Sequence, residues 1–151
     1  MGRLPSGTIL TSYAVCVSVY MSRHLISGDS SGQSDPYVSI TIDDKELTTK
    51  VKSNCINGIW NQTLKFTDIS FDLNDKSTWP ILFVKVMDQD VLTSDFLHYN
   101  YIWLSDTSYR INGSGGNIRP KWHQLLLANS DRKKGEILLS CTILDGQHYN
   151  S

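Results

Sequence analysis

The chain has 151 residues, of which 40% are hydrophobic and 19% charged, which suits one globular domain and excludes a disordered chain. A formal net charge of −1 gives no global field toward nucleic acid or membrane, so attraction to an acidic partner must come from local charge placement. The three cysteines (Cys16, Cys55, Cys141) are widely spaced without a CxxC pair and read as reduced, mostly buried thiols.

At the N-terminus, Gly2 with Ser6 formally matches a myristoylation pattern, but Arg3 and Pro5 argue against lipidation, and none is expected. No signal peptide is evident, so the sequons Asn61-Gln62-Thr63 and Asn112-Gly113-Ser114 are expected to carry no glycan. Apolar runs fall far short of the ~20 residues that span a bilayer. The expectation is a cytoplasmic chain, or a soluble piece of a larger one.

Period-two alternation dominates the rest of the chain. Val15, Val17 and Val19 oppose Cys16, Ser18 and Tyr20, the pattern of a half-buried strand. Residues 37–42 repeat it with Val38, Ile40 and Ile42, and 47–52 carries the threonines and lysines of a solvent-facing strand. Further β-rich runs lie at 60–66, 81–87, 99–104 and 136–144. Turn-rich segments at 27–34, 55–58, 73–80, 88–96 and 111–120 separate them, and the one helical candidate is a turn near 73–78. Seven or eight short strands without an amphipathic helix predict a β-sandwich.

Aspartates concentrate in two of the turn segments, Asp29-Ser-Ser-Gly-Gln-Ser-Asp35 and Asp88-Gln-Asp90-Val-Leu-Thr-Ser-Asp95. Five carboxylates at two strand ends would repel one another if the loops met with nothing between them. A hard divalent cation removes that conflict, because calcium takes about six to eight oxygens in a flexible shell. Asp88 and Asp90, at i and i+2, project to the same side of an extended segment. Asp43, Asp44, Asp72 and Asp75 lack such company and read as ordinary turn residues.

In order along the chain, these pieces resemble a C2 domain. Leu25-Ile-Ser-Gly-Asp29 through Ser34-Asp35-Pro36-Tyr37-Val38 is similar to the family's first calcium loop. Thr49-Lys50-Val51, then Ile59-Trp60-Asn61 and Phe66, are similar to its threonine-lysine strand and tryptophan-asparagine segment. Val84-Lys-Val-Met-Asp88-Gln-Asp90 with Asp95-Phe96-Leu97 resembles the third loop. Trp122-His-Gln-Leu125 and Gly135-Glu136-Ile137 resemble the closing strands. The resemblance covers about residues 9–145 of a single domain, 1–151, and implies an all-β, eight-stranded antiparallel β-sandwich. A terminal strand after the tryptophan segment, with no equivalent ahead of residues 14–20, resembles the type II order, and the late Trp122-His-Gln-Leu125 followed by Lys134-Gly-Glu-Ile137 resembles C2 modules in ferlins and other multi-C2 membrane-trafficking proteins.

The resemblance implies Asp29, Asp35, Asp88, Asp90 and Asp95 as ligands of one to two or more Ca2+ ions, with carbonyls of Gly28 and Gln89 completing the shell. Two departures stand out: the gap from Asp90 to Asp95 is one residue shorter than in many relatives, and His98 stands where glycine is common. If Asp95 does not reach, one ion is held instead of two. The implied function is calcium-dependent docking on acidic phospholipid membranes, serving a larger trafficking or signalling protein through peripheral membrane association. Two ions would nearly cancel the charge of five carboxylates, an electrostatic switch. Val91 and Leu92 at the tip of the third loop, with the small polar Ser30 and Ser31 on the first, are the expected membrane contacts. Lys45, Lys50 and Lys52 fall on the strand that binds phosphoinositide in some relatives. With Asp44 and Glu46 beside them they make a weak patch, and an ordinary solvated face is the stronger reading.

No nucleophile elbow, phosphate loop or HExxH accompanies these loops. Gly113-Ser-Gly-Gly-Asn117 has no following helix, and His24, His98, His123 and His148 show no ligand spacing, so neither catalysis nor nucleic-acid binding is expected. The competing reading is a C2 domain that binds other proteins without calcium.

Overall fold

The computed structural model describes residues 10–26, 34–89, 96–113 and 118–146. Nine strands follow in chain order: β1 Thr11–Arg23, β2 Pro36–Ile42, β3 Lys45–Thr48, β4 Ile59–Phe71, β5 Ile81–Asp88, β6 Phe96–Trp103, β7 Tyr109–Ile111, β8 Lys121–Leu127 and β9 Lys133–Leu144. They hydrogen-bond in the order β3-β2-β5-β6-β8-β9-β1-β4. Between the two four-stranded halves the described ladder is short, pairing His98 with Leu127 and Tyr99 with Leu126, as where the layers of a sandwich join at an edge. The last strand lies between β1 and β8, antiparallel to both, which is the type II order. Short β7, which the sequence pattern did not suggest, runs parallel to the lower part of β9.

Alternation builds the core as expected. Val15, Val17 and Val19 of β1, Val38, Ile40 and Ile42 of β2, and Leu82, Val84 and Val86 of β5 are fully buried. Ile137, Leu139, Cys141 and Ile143 of β9 join them in one cluster. Each such aliphatic side chain stabilises the fold by about 1.5–3 kcal/mol when fully withdrawn from water. The outward face of β1 is tied by hydroxyls instead, Ser18 to Thr63 at 2.9 Å and Tyr20 to Ser140 at 2.8 Å.

Strand β4 runs past its expected end at residue 66 because it absorbs a bulge. Tyr13 faces Ile69 while Val15 faces Phe66, so β4 carries one extra residue, and Asp68 takes the left-handed conformation there at φ 58°. The bulge lets Phe66 and Ile69, three apart, both point inward. The expected strand over 47–52 is corrected in the opposite sense: β3 is Lys45–Thr48. Thr49 ends it, because its Oγ1 accepts the Val38 N–H at 2.9 Å in place of a backbone carbonyl. The helical candidate is a single 3-10 turn, Lys76–Thr78, capped by Asp75.

His123 points inward from β8, and its buried Nε2 has no hydrogen-bond partner among the described residues. Burial, then the Lys121 ammonium, pushes its pKa down to about 4. A folded pKa below the unfolded one means that the unfolded chain binds more protons between about pH 6.5 and 4, so stability present above that window is lost as pH falls through it. Urea unfolding at intervals across the window should show wild type losing roughly 3 kcal/mol relative to His123→Phe. Parallel stability curves for the two proteins would refute this.

Candidate metal centre

Strand direction decides which aspartates can meet. β1 runs up to residue 23, β2 leaves the same end at Pro36, and β5 arrives there at Asp88. The β2–β5 register places Pro36 opposite Asp88, so Asp35 and Asp88 come to one rim. They are coupled directly: Asp35 N–H donates to Asp88 Oδ1 at 3.1 Å, and Gln89 N–H donates to the Asp35 carbonyl at 3.1 Å. Asp88 is 3% exposed, so its carboxylate faces into the rim rather than outward to solvent.

The segment 49–58 clamps this rim from the side, a role that its sequence did not suggest. Ser34 and Cys55 exchange two backbone hydrogen bonds, at 3.2 and 2.8 Å, and Lys52 N–H donates to the Pro36 carbonyl. Asn54, left-handed at φ 58°, donates its N–H to Asp35 Oδ1 at 2.6 Å. Asn57 Oδ1 accepts the N–H of Leu25, on the arm that rises from β1, at 3.1 Å. Asn at a left-handed position was the one local signal that could have marked this clamp.

The donor set is oxygen-based. The nearby Cys55 thiol is pushed up by burial, then by the Asp35 carboxylate, with Lys52 opposing, so it stays protonated at neutral pH and offers no thiolate. Two carboxylates held by backbone N–H groups at adjacent strand ends fit a hard cation such as calcium. Asp29, Asp90 and Asp95, the Gly28 carbonyl, and the expected membrane contacts Ser30, Ser31, Val91 and Leu92 lie outside the described residues. Ile26, Ser34, Gln89 and Phe96, the described residues that flank segments 27–33 and 90–95, stand at this end of the fold. Asp72 and Asp75 sit at the opposite end, where they hold turn N–H groups of Asn74 and Ser77.

The three lysines do not share a strand. Lys45 is on β3 and reaches the Asp68 carbonyl at 3.2 Å, whereas Lys50 and Lys52 follow Thr49 into the clamp. The expectation that all three line one strand is thereby corrected, and its cause is the early end of β3 at Thr49. On the outer face of β2 and β5, Lys85 pairs with Glu46 at 3.1 Å, so Glu46 neutralises the cation nearest the centre of that face.

Residues 13–125 match the C2 domain family. The chain belongs to that family. This C2 domain is 32% identical over 130 residues to multiple C2 domain and transmembrane region protein 6 of Arabidopsis thaliana, covering 82% of this chain but 12% of that protein. In fold it is similar to C2 domain A of plant extended synaptotagmin 1, with a TM-score of 0.66 at 22% identity over 88% of this chain and 95% of that one. A calcium-bound structure of C2 domains A and B of extended synaptotagmin 2 has a TM-score of 0.63 at 18% identity, covering 87% of this chain and 45% of that one. The strand order expected from the sequence is thus that of a C2 domain. Among the described residues, no helix is long and apolar enough to cross a membrane.

Proposed function

We propose that this C2 domain is a non-catalytic, calcium-dependent module that docks on acidic phospholipid membranes. The observation that carries the reading is the register of Pro36 with Asp88, which brings the two aspartate-bearing segments to one rim and couples them by hydrogen bonds. Asp29, Asp35, Asp88, Asp90 and Asp95 are the proposed ligands. Bound calcium would supply positive charge and open coordination positions for phosphate oxygens. The clamp residues Asn54 and Asn57 hold the loop bases in place, and Asp35 and Asp88 are oriented before any ligand arrives. Val91 and Leu92 would enter the membrane interface. Lys52, whose N–H donates to the Pro36 carbonyl, stands at the same rim. The calcium in the similar extended synaptotagmin 2 structure and the transmembrane region in the name of the Arabidopsis relative support this reading. We further propose a parent protein that works at the cytoplasmic face of a membrane in trafficking.

A ligand that binds only the folded state raises its melting temperature. With a site of about 10 µM, 1 mM calcium should add about 2.7 kcal/mol of stability, a rise of roughly 5–10 °C for a domain of this size. Magnesium at the same concentration should do far less. Equal melting curves with calcium and with chelator would instead favour calcium-independent protein binding. The observation on that side is the exposed row on the far half of β5 and β6, where Tyr101 is 59% and Trp103 46% exposed beside Ile81.

A further inference from the structure

His98 is fully buried two residues inside β6, the strand that receives the third loop. Both ring nitrogens are engaged. Nε2 accepts the Ile26 N–H at 3.1 Å, so Nδ1 carries the ring proton and donates to the Lys134 carbonyl at 2.9 Å. Ile26 is the last described residue before the segment that holds Asp29. Its neighbour Leu25 is held by Asn57, so two successive amides of the entry arm are each fixed by one side chain. Gly135, left-handed at φ 85°, allows the close packing around this ring: a Cβ there would stand 2.7 Å from Leu25 Cδ2 and 3.4 Å from His98 Cε1.

We propose that His98 is a positioning residue for the calcium centre: its uncharged ring ties the entry arm of the first aspartate loop to β6 and β9, and calcium affinity falls when the ring gains a proton. This inference rests on the calcium reading above. A protonated imidazole has two donors and no acceptor, so it must release the Ile26 N–H. The charged and titratable groups on the surrounding elements are Arg23 and His24 on the arm, Lys85 and Asp88 on β5, Asp131 and Arg132 in the β8–β9 turn, and Lys133, Lys134 and Glu136 on β9. Among the described residues, only Lys134 acts on the ring through its charge, and it opposes protonation. Burial is the larger cause holding the ring below its usual range, while the bond to the Lys134 carbonyl works the other way. The ring is therefore neutral at neutral pH and gains its proton only in more acid solution than a free imidazole does.

The test is calorimetric calcium titration of the 151-residue chain, wild type against His98→Gln and His98→Asn, between about pH 7.5 and 5.5. Glutamine reaches the Nε2 position with an acceptor that does not titrate; asparagine reaches only the Nδ1 position. His98→Asn should bind calcium roughly three- to tenfold more weakly at the upper pH, and wild-type affinity should fall more steeply with acid than that of His98→Gln. The Ile26 amide, followed by NMR in the calcium-free wild type, should lose protection over the same pH range. Identical affinities and pH profiles for wild type and His98→Gln would overturn the role of His98 while leaving the calcium reading intact, even if His98→Asn fails to fold. No calcium binding by wild type at any pH would overturn both.

Discussion

Replacing Asp88 by asparagine is expected to lower calcium affinity by at least roughly 100-fold, since loss of a mere outer-shell partner already costs 10–100-fold, while the fold survives. The structure explains why the two effects separate. Asparagine keeps an Oδ1 that can accept the Asp35 N–H, so the hydrogen bond between the two loops persists. What disappears is a negative charge at the innermost position of the rim, where Asp88 is 3% exposed and water screens it least. Calcium calorimetry together with a melting curve in chelator checks both halves. A variant that melts like wild type and still binds calcium within a few-fold would remove Asp88 from the ligand set. Asp88→Ala is a poorer probe, because it also strips the Asp35 N–H of its acceptor and so mixes loop disruption with lost coordination.

Gly58→Ala should be strongly destabilising for a single methyl addition. A Cβ at this position would lie 2.4 to 2.8 Å from three ring carbons of Trp60, an indole that is 6% exposed and whose buried Nε1 has no hydrogen-bond partner among the described residues. The ring cannot swing outward without uncovering core, so strain of about 3 kcal/mol is expected, a fall of roughly 6–12 °C in melting temperature. The effect should also reach the rim. Gly58 exchanges two hydrogen bonds with Ser22, one from its N–H to Ser22 Oγ and one from Ser22 N–H to its carbonyl, both at 3.1 Å. Those bonds hold the clamp against the end of β1. Gly113→Ala is the control: its φ of 76° costs about 1–2 kcal/mol, but among the described residues no atom beyond its chain neighbours lies within 4 Å of the added methyl. Equal melting temperatures for the two variants would show that the Trp60 contact is not the constraint described.

Much of this architecture was legible because its signals are local. Val15, Val17 and Val19 declare a buried face by period alone, as do Val38, Ile40 and Ile42, and the structure buries all six. What period cannot show is where a ladder changes phase. The bulge at Asp68 carries β4 on to Phe71, well past the expected end, and Thr49 ends β3 by substituting a hydroxyl for a backbone acceptor. Both depend on the partner strand. The same holds for the rim. Asp35 and Asp88 stood out as strand-end aspartates, but their coupling needed the β2–β5 register. Asn57 and His98 grip Leu25 and Ile26 across 32 and 72 residues of chain, and no local pattern announces such a contact. His98 drew notice only as an unusual occupant of its position; its two backbone partners give that oddity a physical content.

The most direct test is co-sedimentation with phosphatidylserine vesicles, with calcium and with chelator, for wild type and the double variant Asp88→Asn/Asp90→Asn. Binding that requires calcium in wild type and vanishes in the double variant is the predicted result. Binding that is the same in calcium and chelator, or that survives the double variant unchanged, would contradict a calcium switch at this rim.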